Sequence, residues 1–387
     1  MPGLLPHVDP DGLLEFSVVY TDRALNHMSK KFQGVVRELS ALLKDVYGAD
    51  AAVLVPGSGT FGMEAVARQF ANGQSVVVIR NGFFSYRWSQ ILDMGRIAAP
   101  EQITVLKARR SVDKLGDDPQ APWIPAPVDE VVAAIARVKP AVVFAPHVET
   151  ASGIILPDDY LRRVAEATHA VGGLFVLDCV ASGAMWVDMR AIGVDVLISA
   201  PQKGWSSSPA FAIVCLSQRA LKTMEGTTST SFAADLKKWH QIMQAFENGG
   251  HAYHATMPTA ALVELRDAML ETRARGFAAV REQQVALGCK VRQLFEERGL
   301  PSVAAPGFQA PGVVVSYTTD PDIQSGKKFI EQGVQTAAGV PLMCDEPADF
   351  RSFRVGLFGL DKWADADRSV AQLAAALDRM GLSAAEK

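Results

Sequence analysis

Long apolar runs are missing from this sequence. Nowhere do about 18 apolar residues follow one another, the length a membrane-spanning helix needs, so no membrane partner is expected. The N-terminal MPGLLPHVDPDGLLEF has no basic leader followed by an apolar core, and a cytoplasmic protein is the expectation. An excess of basic charge is missing too. With 38 Lys and Arg against 42 Asp and Glu, the net charge is −4 and the pI about 6.0. That leaves no positive field to attract nucleic acid or an anionic membrane surface. Cysteine is scarce and scattered: Cys179, Cys215, Cys289 and Cys344 lack the spacing of a disulfide scaffold or of paired zinc ligands. The seven histidines contain no H-E-x-x-H pair, and no metal is expected. Internal repeats and low-complexity tracts are absent.

What remains is the material of a soluble enzyme, 387 residues with 49% hydrophobic and 21% charged side chains, enough for a large domain and a smaller one. Apolar residues at helical spacing (Val35, Val36, Leu39, Leu42, Leu43, Val46) predict a helix over Lys30–Tyr47, closed by Gly48. Short apolar runs at 51–56, 75–79, 141–144, 174–178 and 194–199 read as buried strands, and most are separated by helical patterns. A returning strand is expected over 210–216, and residues 113–130 read as a Pro/Asp-rich surface loop leading into a helix. This alternation implies an α/β fold with a mostly parallel sheet covered on both faces. Residues 259–298 read as helical with few breaks. Beyond them come a strand at 312–317, a helix at 322–332, a strand at 353–357 and the amphipathic VAQLAAALDRM.

Two of the strand ends carry chemistry. The run LFVLD ends in Asp178, and VDVLIS leads into a polar turn holding Lys203, one crossover later. Polar residues at such strand ends face the crevice where α/β sheets bind ligands. A buried carboxylate and an amine suit pyridoxal phosphate: the amine condenses with the cofactor aldehyde, and the carboxylate keeps the pyridine nitrogen protonated so that the ring acts as an electron sink. Taken alone, an Asp/Lys pair is more often a turn cap and a solvated amine. Earlier in the chain, Gly57-Ser58-Gly59-Thr60 lies between a strand and a helix, where free N–H groups and the helix dipole favour a phosphate. The same GSGTFG also satisfies G-x-G-x-x-G, which keeps an NADP-dependent oxidoreductase open as an alternative.

The block D-C-V-A-S-G-A followed by S-A-P-Q-K-G resembles the fold-type I, class V aminotransferases, in particular the alanine-glyoxylate and serine-pyruvate group. Further motifs carry the same resemblance: GSGT for S-G-S-G, Asn81-Gly82-Phe83-Phe84, His147-Val148-Glu149-Thr150, Tyr253-His254-Ala255-Thr256-Met257-Pro258 and Phe353-Arg354-Val355-Gly356. The likeness implies a homodimer using pyridoxal 5'-phosphate, held by Ser58, Gly59, Thr60, Phe84 (stacked on the ring), Thr150, Asp178, Gln202 and Lys203. Tyr253 and Thr256 would reach the partner's cofactor phosphate, and Arg354 would hold a substrate carboxylate. Lys203 and Asp178 would be the catalytic pair, Lys203 as the Schiff-base lysine and proton carrier. Many alanine-glyoxylate relatives have His where Thr60 stands, whereas G-S-G-T-F is similar to aminoethylphosphonate transaminases; Ala151 departs from the motif's second hydroxyl.

The resemblance also implies the layout: an arm over 1–22, a large cofactor-binding domain over 23–258 with a sheet of the seven-stranded type, a connecting helix over 259–299 and a small α+β domain over 300–387. The implied reaction moves an amino group from a small amino acid, such as alanine or serine, to glyoxylate or pyruvate. Three rivals remain: an aminoethylphosphonate-type transaminase, a class V cysteine desulfurase or lyase using Cys344 in GVPLMCDEP, and a non-catalytic cofactor-binding protein.

Overall fold

The computed structural model describes residues 8–9, 11–111 and 118–383. Of the expected arm, residues 1–7 and 10 lie outside the described residues, as do 113–117 of the expected loop. The first helix, α1 (Lys30–Tyr47), has the predicted bounds. Ser29 Oγ accepts from Phe32 N at 3.1 Å at its start, and Gly48, at φ 62°, closes it in the left-handed conformation that only glycine adopts without strain.

Seven strands form the central sheet: β1 (Ala51–Pro56), β2 (Val76–Arg80), β3 (Ile103–Lys107), β4 (Val142–Pro146), β5 (Leu174–Asp178), β6 (Val196–Ser199) and β7 (Phe211–Leu216), in the order β1-β7-β6-β5-β4-β2-β3. Only β7 runs against its neighbours, β1 and β6. The carboxyl ends of the other six therefore open on one edge. Strands β2, β4, β5 and β6 are buried along their whole length, which is why they read as unbroken apolar runs rather than alternating ones. Helices α2 (Gly59–Phe70), α3 (Phe83–Met94), α4 (Val128–Val138) and α5 (Asp158–Ala170) follow strands or cover the sheet. Among the described residues no helix is long and apolar enough to cross a membrane.

Several sequence expectations need correction. The continuous connector is two helices, α6 (Thr259–Arg275) and α7 (Phe277–Glu296), broken where Gly276 takes φ 89°. The helix expected over 322–332 is two short turns, Pro321–Gln324 and Lys327–Glu331, separated at Gly326, φ 81°. The loop expected on the surface sinks Trp123 into the protein, where its Nε1 donates to Tyr317 Oη at 3.0 Å. A second, three-stranded antiparallel sheet joins β8 (Val313–Tyr317) and β9 (Ala337–Ala338) on either side of β10 (Ser352–Gly356). Its apolar side chains, with those of α7 and the C-terminal helix, form a second buried cluster around Phe295, Phe329, Phe353 and Leu377.

Helix α2 comes very close to the sheet at Gly62, where an added Cβ would lie 2.5 Å from the Cβ of Ala212 in β7 and 3.3 Å from Ile198. Helix propensity alone gives Gly→Ala a gain of about 1 kcal/mol, but overpacking costs about 1–3 kcal/mol. Gly62→Ala should therefore lower the urea midpoint. A raised midpoint would show that α2 shifts freely on the sheet.

Candidate active site

The carboxyl edge of the sheet holds a cavity whose wall includes Ser58, Gly59 and Thr60 together with Asp178, Gln202 and Lys203. Phe84 and Thr150 complete it. Eight of the residues singled out from the sequence, drawn from five separate chain segments, thus share one space.

Each is placed by a local rule. Asp178 is the last residue of β5, and its backbone oxygen accepts from His147 N at 2.8 Å, which ties β4 and β5 together beyond their paired residues. One carboxylate oxygen, Oδ1, accepts from Val180 N at 2.9 Å; Oδ2 has no hydrogen-bond partner among the described residues. Burial raises the Asp178 pKa to about 6, against the Val180 N–H and the nearby charge of Lys203. Lys203 Nζ likewise makes no hydrogen bond among the described residues and lies 6.0 Å from the Phe358 ring centroid. Desolvation pulls its pKa down, opposed by Asp178 and Glu149 and assisted by Arg354 and Arg87. The turn after it is held close: a Cβ on Gly204 would sit 2.4 Å from the backbone oxygen of Gly183, so that position admits no side chain.

Phe84 lies in the first turn of α3, anchored by the fully buried Glu149. The Glu149 carboxylate accepts from Phe84 N at 3.2 Å, Ser85 N at 2.8 Å, Ser85 Oγ at 2.7 Å and Ala151 N at 3.0 Å. A carboxylate at a helix N-terminus is favoured by the dipole as well as by these donors. His147 shapes the same corner through Nδ1 and Ser182 Oγ, 2.7 Å apart, and burial pushes its pKa down to about 3, so the ring is neutral. Both residues thus hold the turn.

Also on the wall, α2 starts at Gly59 with no side-chain cap from Ser58. The N–H groups of Gly59 and Thr60 have no partner among the described residues, while those of Phe61 and Gly62 bond to Ser58 O. Arg87, which sequence reasoning missed, joins the wall. It lies three residues after Phe84 on α3, the spacing that puts two side chains on one helix face, and that spacing was available in NGFFSYRW. Its guanidinium sits 5.2 Å from the Phe84 ring centroid. Arg354 approaches from β10, its guanidinium 5.3 Å from the same centroid and its Nε donating to Ala338 O at 2.8 Å. It stands beside the cavity rather than among its lining residues. Tyr253 and Thr256 are not brought to this cavity by their own chain. Tyr253 is exposed, and its Oη lies 3.2 Å from Thr256 Oγ1.

The residues present match a phosphorylated pyridine aldehyde group by group. Unpaired N–H groups at a helix start suit a phosphate, the flat ring of Phe84 a planar heterocycle, the free Asp178 oxygen a protonated ring nitrogen, and the desolvated amine of Lys203 an aldehyde.

Residues 14–340 match the model of the family described as aminotransferase class-V. The chain belongs to that family. Class V aminotransferases depend on pyridoxal phosphate, and this chain is an enzyme of that kind. The 2-aminoethylphosphonate–pyruvate transaminase of Burkholderia ambifaria (strain MC40-6) is 27% identical over 373 residues, 94% of this chain and 93% of that protein. The fold is that of the alanine–glyoxylate aminotransferase from Nostoc sp., with TM-score 0.76, 22% identity and coverage of 91% of this chain and 88% of that one. It is shared too by the subgroup IV aspartate aminotransferase from Thermus thermophilus, with TM-score 0.74, 23% identity and coverage of 92% and 93%.

The geometry bears on two of the rivals outside transamination. The strand before GSGTFG is an edge strand with an antiparallel neighbour, whereas dinucleotide folds place their glycine loop after a central parallel strand. Cys344 is buried, with Sγ 3.4 Å from Arg80 O, and burial pushes its thiol up to about 12. A reactive thiol needs access and a lowered pKa, and Cys344 has neither.

In the cofactor-free enzyme the raised Asp178 pKa is a cost to stability. An unfolded aspartate titrates near 3.9, so stability falls as the pH rises from about 4 to about 6, and the full loss, about 3 kcal/mol, is present above that range. Asp178→Asn should raise the melting temperature of cofactor-free protein at pH 7.5 and leave it nearly unchanged at pH 4. Equal shifts at both pH values would contradict the assignment.

Proposed function

We propose that this enzyme is a transaminase that uses pyridoxal 5'-phosphate to move an amino group from a small amine bearing an anionic group to a 2-oxo acid such as pyruvate or glyoxylate. Alanine, serine and 2-aminoethylphosphonate are donors of this kind. The observation that carries the reading is that Asp178, the last residue of β5, and Lys203, in the turn after the parallel neighbour β6, share one cavity with an uncapped helix start. Likeness to proteins named 2-aminoethylphosphonate–pyruvate transaminases over nearly the whole chain supports a phosphonate-bearing donor and pyruvate as acceptor.

When bound, the cofactor supplies an aldehyde for the incoming amine and a ring that accepts electrons. The chain's own residues do the rest. Lys203, its amine made easier to deprotonate by desolvation, would hold the cofactor through its aldehyde and would serve as general base for the proton on the substrate Cα. Asp178 holds the proton on the ring nitrogen. Thr150 and Gln202 fix the ring's orientation, and Phe84 gives it an apolar face. Ser58, Gly59 and Thr60 bind the phosphate. Arg354, whose planar fork matches a carboxylate or phosphonate, orients the substrate so that the Cα–H bond lies in reach of Lys203.

A homodimer completes the site in this reading. Tyr253 and Thr256 lie exposed and close together, and large apolar side chains including Leu14, Phe16, Phe61 and Phe232 are exposed on the single chain. In that dimer the pair would reach the phosphate of the neighbouring subunit. The four cysteines are free, as suits the reducing cytoplasm where we place the enzyme.

The test is the visible spectrum of the cofactor-loaded enzyme before and after a panel of amines, since true donors shift it and add an amine to the cofactor, with transfer to pyruvate or glyoxylate followed as product. Lys203→Ala should abolish turnover while keeping the dimer, and retained turnover would remove it as the base. Arg354→Ala should raise KM for carboxylate or phosphonate substrates about tenfold to a hundredfold; an unchanged KM would take the anion from its care.

A further inference from the structure

Resting on the cofactor assignment above, we propose that Arg87 is the cation that reads the cofactor's phosphate, both as its countercharge and by aiming the Thr60 hydroxyl at it. A phosphate monoester carries a charge of about −1.5 to −2 near neutral pH, whereas a helix N-terminus offers only about half a positive charge. Ser58, Gly59 and Thr60 are all neutral. Among the described residues the wall of the cavity has two cations, Lys203 and Arg87. The amine of Lys203 is committed to the aldehyde end. Arg87 is left for the phosphate end.

Its geometry suits that task. Nη1 donates to Thr60 Oγ1 at 2.9 Å. An arginine has no acceptor to offer, so the hydroxyl oxygen is occupied as acceptor and its hydrogen is free to be donated. Thr60 Oγ1 donates to no protein atom among the described residues. The hydrogen is therefore available to an anion at the start of α2. The guanidinium is held against the Phe84 ring, and no carboxylate among the described residues lies within ion-pair distance of it. A part-buried cation without a carboxylate, on a cavity wall beside unpaired N–H groups, is matched by a tetrahedral oxyanion. Two sources present that chemistry, the phosphate of the cofactor and the phosphonate of a donor such as 2-aminoethylphosphonate. Contact with Thr60 favours the first.

Equilibrium dialysis of cofactor-stripped, full-length protein distinguishes them. Three probes are used: pyridoxal 5'-phosphate, pyridoxal without the phosphate, and inorganic phosphate as a competitor. Arg87→Met should weaken pyridoxal phosphate and inorganic phosphate about tenfold to a hundredfold and change pyridoxal less than about twofold. Arg87→Lys should recover part of the loss, and Thr60→Val should cost less on top of Arg87→Met than it does alone. Equal weakening of pyridoxal and pyridoxal phosphate would reduce Arg87 to a structural role and overturn the proposal. So would undiminished pyridoxal phosphate binding with a selective rise in KM for 2-aminoethylphosphonate, which would move the charge to the substrate. Wild-type protein that binds neither pyridoxal nor its phosphate would instead sink the cofactor reading itself.

Discussion

The removal of Asp178 and Lys203 from water is the constraint on which the rest of the structure depends. Asp178 ends the fully buried strand β5 and is itself buried, while Lys203 stands in the turn after β6, half-buried, with its amine desolvated enough for its pKa to fall. Burial pushes the two pKa values toward each other, the acid up and the amine down. This is the condition under which a carboxylate exchanges a proton with a ring nitrogen and an amine works as a nucleophile and base. A surface Asp/Lys pair would have ordinary pKa values and little chemistry. The sheet's parallel core, with helices on both faces, is what makes the edge dry enough.

A second buried acid holds the arrangement in register. Glu149 is satisfied by three backbone N–H groups and a hydroxyl, and by binding the start of α3 it sets Phe84 and, one turn on, Arg87. Glu149 and Asp178 do opposite jobs with the same functional group. The first is surrounded by donors and serves as a structural anchor; the second keeps an oxygen without a protein partner, which is costly in an empty site and useful once a ligand's ring nitrogen meets it. Stability is given up where chemistry needs an unfilled valence and recovered where it does not.

The sequence was most legible where period and chemistry agreed. Helix α1 and its glycine stop, the buried strands, and Asp178, Lys203 and the GSGT turn all follow from local rules. It was less legible where tertiary contacts outweighed local pattern. Trp123 lies in a Pro-rich stretch yet is buried, because its indole N–H finds Tyr317 from a distant strand. The breaks at Gly276 and Gly326 went unread because a lone glycine inside a helical pattern is compatible with both continuation and interruption. Cys344 followed the same course: its loop looked open in sequence, but Glu346 accepts from the N–H groups of Leu342, Met343 and Cys344 and closes the loop over the thiol.

By itself the sequence determined the α/β alternation and the resemblance to class V aminotransferases, and singled out the acid, the lysine and the glycine loop as candidates, because these depend on residue type and short-range spacing. Only the tertiary structure decided that segments around residues 58, 84, 150, 178 and 203 enclose one cavity, that Arg87 rather than a loop residue stands beside Thr60, and that Tyr253 and Thr256 are not among the residues lining their own chain's cavity. The physical reason is that strand order and crossover direction set which carboxyl ends become neighbours. Those are settled by burying both faces of the sheet at once, a property of the whole chain that no window of residues contains.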